Sequence, residues 1–193
     1  MWLETLNHGY PRRTRLLFAL IKRLTGHPVP DAAKVVFYRP EFYGDGAKEF
    51  THRAMRGPSE WSVGDRELMA AYVSTVNETA FCIGAHTATA RLAYGDGARV
   101  AAALADPASA PIAEPLRATL RLLGVLVHAG TVGVQDMRAA LDAGVSPAQI
   151  RDALAVAAAF TITDRLADAF GFEQLSPEGY EAGAKYLLKR GYR

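Results

Sequence analysis

The stretch SPAQIRDALAVAAAFTITDRLADAFG, Ser146 to Gly171, decides the fold. It opens on Ser-Pro, a hydroxyl for the N-cap followed by proline at the first helical position, and it closes on glycine, the residue that most readily ends a helix. Between these signals DALAVAAAF, Asp152 to Phe160, is apolar on most sides and built from small side chains that let neighbouring helices come close. The spacing predicts one helix over Pro147 to Phe170, placed in a core or a subunit interface. Asp164 and Arg165 put charges on this largely apolar helix, and such charges are expected to be paired across an interface or exposed.

The same grammar repeats outward from this helix. Helical periodicity between Pro and Gly breaks predicts further helices at Arg13 to Thr25, Ala32 to Tyr38, Pro40 to Met55, Val63 to Val76, Ala80 to Tyr94, Ala98 to Ala105, Pro115 to Ala129, Val134 to Ala143 and Glu178 to Arg190. Ser62 with Asp65 three residues on has the form of a capping box, Ser176-Pro177 repeats the Ser-Pro start, and Gly144 marks another stop. Period-two alternation is nearly absent, so the expected class is all-α, a compact multi-helix fold. A chain of 193 residues is long enough for one sizeable core and short for two. One domain over residues 1–193 is therefore expected, with residues 1–36 as an N-terminal helical extension.

Composition narrows the function classes. A formal charge of +2 gives no electrostatic case for nucleic acid as the partner. The apolar run LLFALI, Leu16 to Ile21, is too short to cross a bilayer and is flanked by Arg12, Arg13, Arg15, Lys22 and Arg23; it reads as an amphipathic helix with arginines on its wet side, and a basic membrane-surface helix is the sharper alternative. No membrane partner is expected. The single cysteine excludes an intramolecular disulfide and suits a reducing cytoplasm.

That cysteine lies in NETAFCIGAHTATA, Asn77 to Ala90, with a histidine one helical turn later. If Thr79 caps the helix, Cys82 falls in its first turn, where unpaired N–H groups and the positive end of the dipole favour a thiolate. His86 shares its face, within reach for proton exchange. If the chain reverses at Asn77 to Thr79, Glu67 on the preceding helix falls beside His86. Carboxylate, imidazole and thiol would then share one seam, with Glu67 orienting His86, His86 moving the proton and Cys82 reacting with substrate. The local sequence leaves a second reading open, in which Cys82 is a small inert core residue and His86 a structural histidine.

The segment ELMAAYVSTVNETAFCIGAH, Glu67 to His86, resembles the signature of the alkylhydroperoxidase D-like proteins within the carboxymuconolactone decarboxylase superfamily. GPSEWSVGDRE, Gly57 to Glu67, and the stretch from Met137 through Phe172 resemble the peroxidase-related branch, so the likeness runs from about Phe37 onward. Glu67, Cys82 and His86 match the glutamate, second cysteine and histidine of that signature. The resemblance implies an antioxidant peroxidase acting on hydroperoxides, assembled as a homo-oligomer. Where the signature has its first cysteine this sequence has Thr79, so a dithiol–disulfide cycle cannot run within one chain. An oxidised Cys82 would need an external thiol or another subunit's cysteine for rescue. The superfamily's other branch implies a decarboxylase or lactone-type lyase, and loss of the redox cycle would leave an oligomeric binding protein.

The remaining candidates are weaker. His8, His27, His52 and His128 show no metal-ligand spacing, so neither a metal nor a cofactor is expected. The two YGDGA pieces, at Tyr43 and Tyr94, follow aromatic residues and read as turns. FYRPEFY, Phe37 to Tyr43, reads as core packing.

Overall fold

The computed structural model describes the chain except Leu3, Arg39, Pro40, Phe42, Tyr43 and Arg193, and the side chains of Thr5 and Leu6. The described residues form α-helices and no strands: α1 (Thr5–His8), α2 (Arg12–Thr25), α3 (Asp31–Tyr38), α4 (Asp45–Arg56), α5 (Val63–Val76), α6 (Ala80–Tyr94), α7 (Gly97–Ala105), α8 (Glu114–Ala129), α9 (Val134–Asp142), α10 (Pro147–Phe170) and α11 (Pro177–Arg190). The expected all-α class holds. The expected start of a helix at Pro40, part of the FYRPEFY cluster and the tyrosine of the first YGDGA lie outside the described residues; α4 itself begins at Asp45.

The serine caps act as read. Ser62 and Asp65 form a reciprocal box at α5, Ser146 and Gln149 another at α10, and the Ser176 hydroxyl accepts from the Gly179 N–H at α11. Gly95 and Gly171 end α6 and α10 in the left-handed region. Gly171 has a second use, because a Cβ there would fall 2.2 Å from the indole of Trp2, which lies against the bare backbone.

α5 is the central helix. It packs on α6, α8 and α10, and nine of its fourteen residues are buried. Leu68, Met69 and Val73 join Leu120 and Leu123 of α8 and Val156 and Phe160 of α10 in the main core, and the Trp61 indole donates to the Gln149 carbonyl at 2.9 Å to fix the start of α10 against it. Ala70, Ala71 and Ser74 keep the remaining surface of α5 small, which suits close approach of neighbouring backbones. The reversal from α5 to α6 is tight. Glu78 takes a φ of 60°, unusual for a residue with a Cβ, and the Thr79 N–H returns to the Ser74 carbonyl at 3.0 Å. This turn sets α6 against α5 and so fixes which residues of the two helices face one another.

α2 is different. None of its residues is buried, and Leu16, Leu20 and Leu24 are 72%, 51% and 75% exposed. It is held by Phe18, whose ring meets Tyr10 at 5.1 Å and Phe37 at 5.5 Å, both edge-on. The amphipathic reading was right about its pattern. The part of its apolar surface formed by Leu16, Leu20 and Leu24, however, is not covered by the described part of the chain. No helix among the described residues is long and apolar enough to cross a membrane.

Candidate functional site

Glu67 and His86 meet across the α5–α6 reversal, His86 Nδ1 lying 2.8 Å from Glu67 Oε2. Both are buried, the carboxylate completely. Two further groups share the other oxygen, Oε1: Arg56 Nη2 at 2.6 Å and the Tyr192 hydroxyl at 2.9 Å. Arg56 also donates to the carbonyls of Met55 and Leu187, and its guanidinium lies 5.1 Å over the Tyr192 ring. The Tyr192 ring stacks on His86 within 18° of parallel, while Phe160 meets the imidazole edge-on at 4.2 Å.

The electrostatics follow from this packing. Burial pushes the Glu67 pKa up, but the hydrogen bonds and charges of His86 and Arg56 more than offset it and hold the carboxyl below its ordinary value. Glu67 is therefore an anion. An ionised carboxylate only accepts, so the imidazole proton sits on Nδ1, and in the neutral ring Nε2 keeps its lone pair for a base role. Burial next to Glu67 keeps the Tyr192 phenol protonated, well above its usual range.

Cys82 is placed differently from expectation. It is in the first turn of α6, but it is 1% exposed, and burial together with Asp164 and Asp168 of α10 drives its pKa upward. The helix dipole is outweighed by two carboxylates and by loss of water, so the resting state is a thiol. Its hydrogen-bond partner is Asp164, which also accepts from Ser74 Oγ at 2.9 Å and from Asn77 Nδ2 at 2.8 Å. Asp164 is fully buried and its own pKa is raised by burial. Of the two outcomes expected for it, pairing across an interface or exposure, Asp164 takes the first: it is satisfied within the chain, by donors from α5, the turn and α6. Thr79 occupies the N-cap position without capping, because its hydroxyl donates to Asp168 Oδ2 at 2.8 Å. His86 stands near enough to Asp164 to act on its ionisation, so both halves form one buried polar cluster.

Asp164→Asn should therefore lower the thiol pKa. At pH 8, Cys82 should then be alkylated about tenfold faster for each unit by which its pKa falls, measured by mass spectrometry at several pH values. An unchanged labelling rate would mean that desolvation alone controls the sulfur.

A cavity of about 240 Å³ opens between the start of α6 and the end of α10, lined by Trp2, Thr79, Phe81, Asp168 and Phe172 among others. Phe81, Ala167 and Phe172, which line it, are also the residues that pack with Cys82, so the sulfur lies one layer behind its wall. Among the described residues no group of three or more His, Cys, Asp or Glu side chains could hold a metal ion.

The sequence pairs Glu67 with His86 and places Cys82 on the same helix face, and the structure brings the first two into contact. It gives the sulfur to Asp164 instead. Reading the sequence missed Arg56, Tyr192 and Asp168. The usable signal was Asp164 and Asp168 one turn apart on an apolar helix.

Residues 43–124 match the family model described as the carboxymuconolactone decarboxylase family, a segment that includes Glu67, Cys82 and His86. Two solved structures share the fold. One is an uncharacterized peroxidase-related protein from Silicibacter sp. TM1040, 22% identical, with a TM-score of 0.75 over 89% of this chain and 90% of that one. The other is the alkylhydroperoxidase AhpD core of an uncharacterized peroxidase-related protein from Ralstonia eutropha JMP134, 19% identical, with a TM-score of 0.74 over 91% of this chain and 92% of that one. A search of curated proteins finds no match. Residues 43–124 thus match the model of the carboxymuconolactone decarboxylase family, and the chain has the fold of the alkylhydroperoxidase AhpD core.

Proposed function

We propose that the chain is a thiol-dependent peroxidase that reduces a small hydroperoxide through Cys82 and is restored by an external thiol. The observation that carries this reading is the single buried cluster in which the only sulfhydryl meets a carboxylate, Asp164, with the Glu67–His86 pair one helical turn away. The sulfur attacks the distal peroxide oxygen, the O–O bond breaks, and the products are Cys82 sulfenic acid and an alcohol. The thiol proton passes into the cluster of Asp164 and His86, and the departing alkoxide collects one in return. Glu67 holds His86 in orientation and tautomer, as Arg56 and Tyr192 hold Glu67. Because the thiol rests protonated, turnover rises with pH into the alkaline range.

The test is mass spectrometry of the full chain after exposure to hydroperoxide in the presence of a 1,3-dione that traps sulfenic acid. A dione adduct on Cys82, absent without peroxide, is expected. An unmodified Cys82 in folded protein would remove the proposal.

One observation favours a second reading. The sulfur is sealed and protonated while Glu67 and His86 form a complete acid–base pair, as a lyase in the manner of the family's name would need. In that case the thiol is dispensable.

A further inference from the structure

We infer that the cavity between the start of α6 and the end of α10 binds a small thiol carrying a protonated amine, and that this thiol resolves oxidised Cys82. The resolving role rests on the peroxidase reading, whereas the binding of an organic ammonium does not.

Three observations point there. The first is position: Phe81, Ala167 and Phe172 line the cavity and also pack with Cys82, so a molecule seated in it needs only a side-chain movement of that wall to meet the sulfur. Cys82 is the only cysteine of the chain, so no sulfur within the chain can answer it.

The second is charge. Asp168 is an exposed residue that lines the cavity, its Oδ2 taking the Thr79 hydroxyl at 2.8 Å. Among the described residues no lysine or arginine pairs with it, and the Met1 ammonium is engaged by Asp31 and Glu173 at 3.8 and 3.6 Å. Beside this anion stand the rings of Phe81 and Phe172, perpendicular at 5.5 Å between centroids, and the indole of Trp2, set against Gly171. A carboxylate among aromatic rings is the environment that favours an organic cation, by charge and by the ring quadrupoles.

The third is size. At about 240 Å³ the cavity falls below the roughly 300–1,000 Å³ of sites for drug-sized ligands, so the ligand is small.

The chemistry closes. The bound thiol attacks the sulfenic sulfur of Cys82, the S–O bond breaks, and the hydroxyl leaves as water with the attacking thiol's proton; a mixed disulfide remains. A second molecule of the same thiol attacks this disulfide, returning Cys82 as thiol and releasing the symmetric disulfide. Two thiols are oxidised for each hydroperoxide reduced.

The experiment compares cysteamine, 2-mercaptoethanol and 3-mercaptopropionate as reductants of the full chain with hydroperoxide, at equal thiolate concentration and low salt. The expected kcat/KM for the cationic thiol exceeds that for the anionic one about tenfold, and Asp168→Asn brings the ratio to within about twofold. Turnover with no dependence on thiol charge would overturn the inference. A binding readout stands beside it: ethanolammonium, which has the amine but no sulfur, should shift the Trp2 indole N–H resonance saturably and leave that of Trp61 in place. No shift would overturn the inference whatever the turnover. A saturable shift without any peroxide turnover would uphold the cavity as an ammonium site while removing the peroxidase reading of Cys82.

Discussion

Glu67→Ala is expected to lower the free energy of unfolding by about 3–5 kcal/mol, the range for removing one partner from a buried ion pair. Three groups lose an acceptor together: the Arg56 guanidinium, which keeps only backbone carbonyls, the Tyr192 hydroxyl and the Nδ1 proton of His86. None of them can turn to water, because the side chains of Arg56 and His86 are 11% and 6% exposed and Tyr192 lies within the same cluster. Against a typical stability of about 5–15 kcal/mol such a loss leaves a marginal fold, so urea denaturation is the measurement and Glu67→Gln the milder companion. The sign of the pH dependence follows from the depressed carboxyl. Its folded pKa lies below the ordinary 4.5, so its contribution is complete above that value and is lost as pH falls through the folded pKa. Wild type should therefore lose stability on acidification below about pH 4.5 more steeply than Glu67→Gln. Equal slopes would show that the cluster is not held by the ionised form.

Cys82→Ser should reduce hydroperoxide turnover by at least about a hundredfold while leaving the fold intact. Serine keeps a donor for Asp164 and changes the volume little, so the substitution separates chemistry from packing. A hydroxyl cannot be oxidised by peroxide as a thiol can, and no other cysteine stands in for it. Peroxide consumption with an external thiol and circular dichroism, run together, decide the matter. Full activity in Cys82→Ser, with loss in His86→Ala, would transfer the function to the Glu67–His86 pair and favour the lyase reading.

The sequence makes the helices legible because caps and stops act over three or four residues: Ser62 with Asp65, Ser146 before Pro147, and Gly171 all carry their meaning locally. The Glu67–His86 contact is legible for a related reason. A short turn at Asn77 to Thr79 fixes the register of two adjacent helices, so periodicity alone brings their residues together. Arg56 reaches the same carboxylate from α4, across a loop whose path no periodicity gives, and Tyr192 reaches it from beyond α11, across 125 residues that no short-range pattern bridges. The cysteine shows how a sound local rule loses. The first turn of α6 does favour a thiolate, but α10, some 80 residues later, sets two carboxylates against it. The four-residue helix α1 carries too little periodicity to be seen.

The three donors gathered on Asp164 bear on how this cysteine is to be interpreted across related proteins. A sulfhydryl that completes the ring of donors around a buried anion is under pressure to stay whether or not it ever meets an oxidant. Relatives in which serine replaces it, with the aspartate retained, would mark the position as one kept for its proton, whereas relatives that keep the cysteine where the aspartate is gone would mark it as one kept for its electrons.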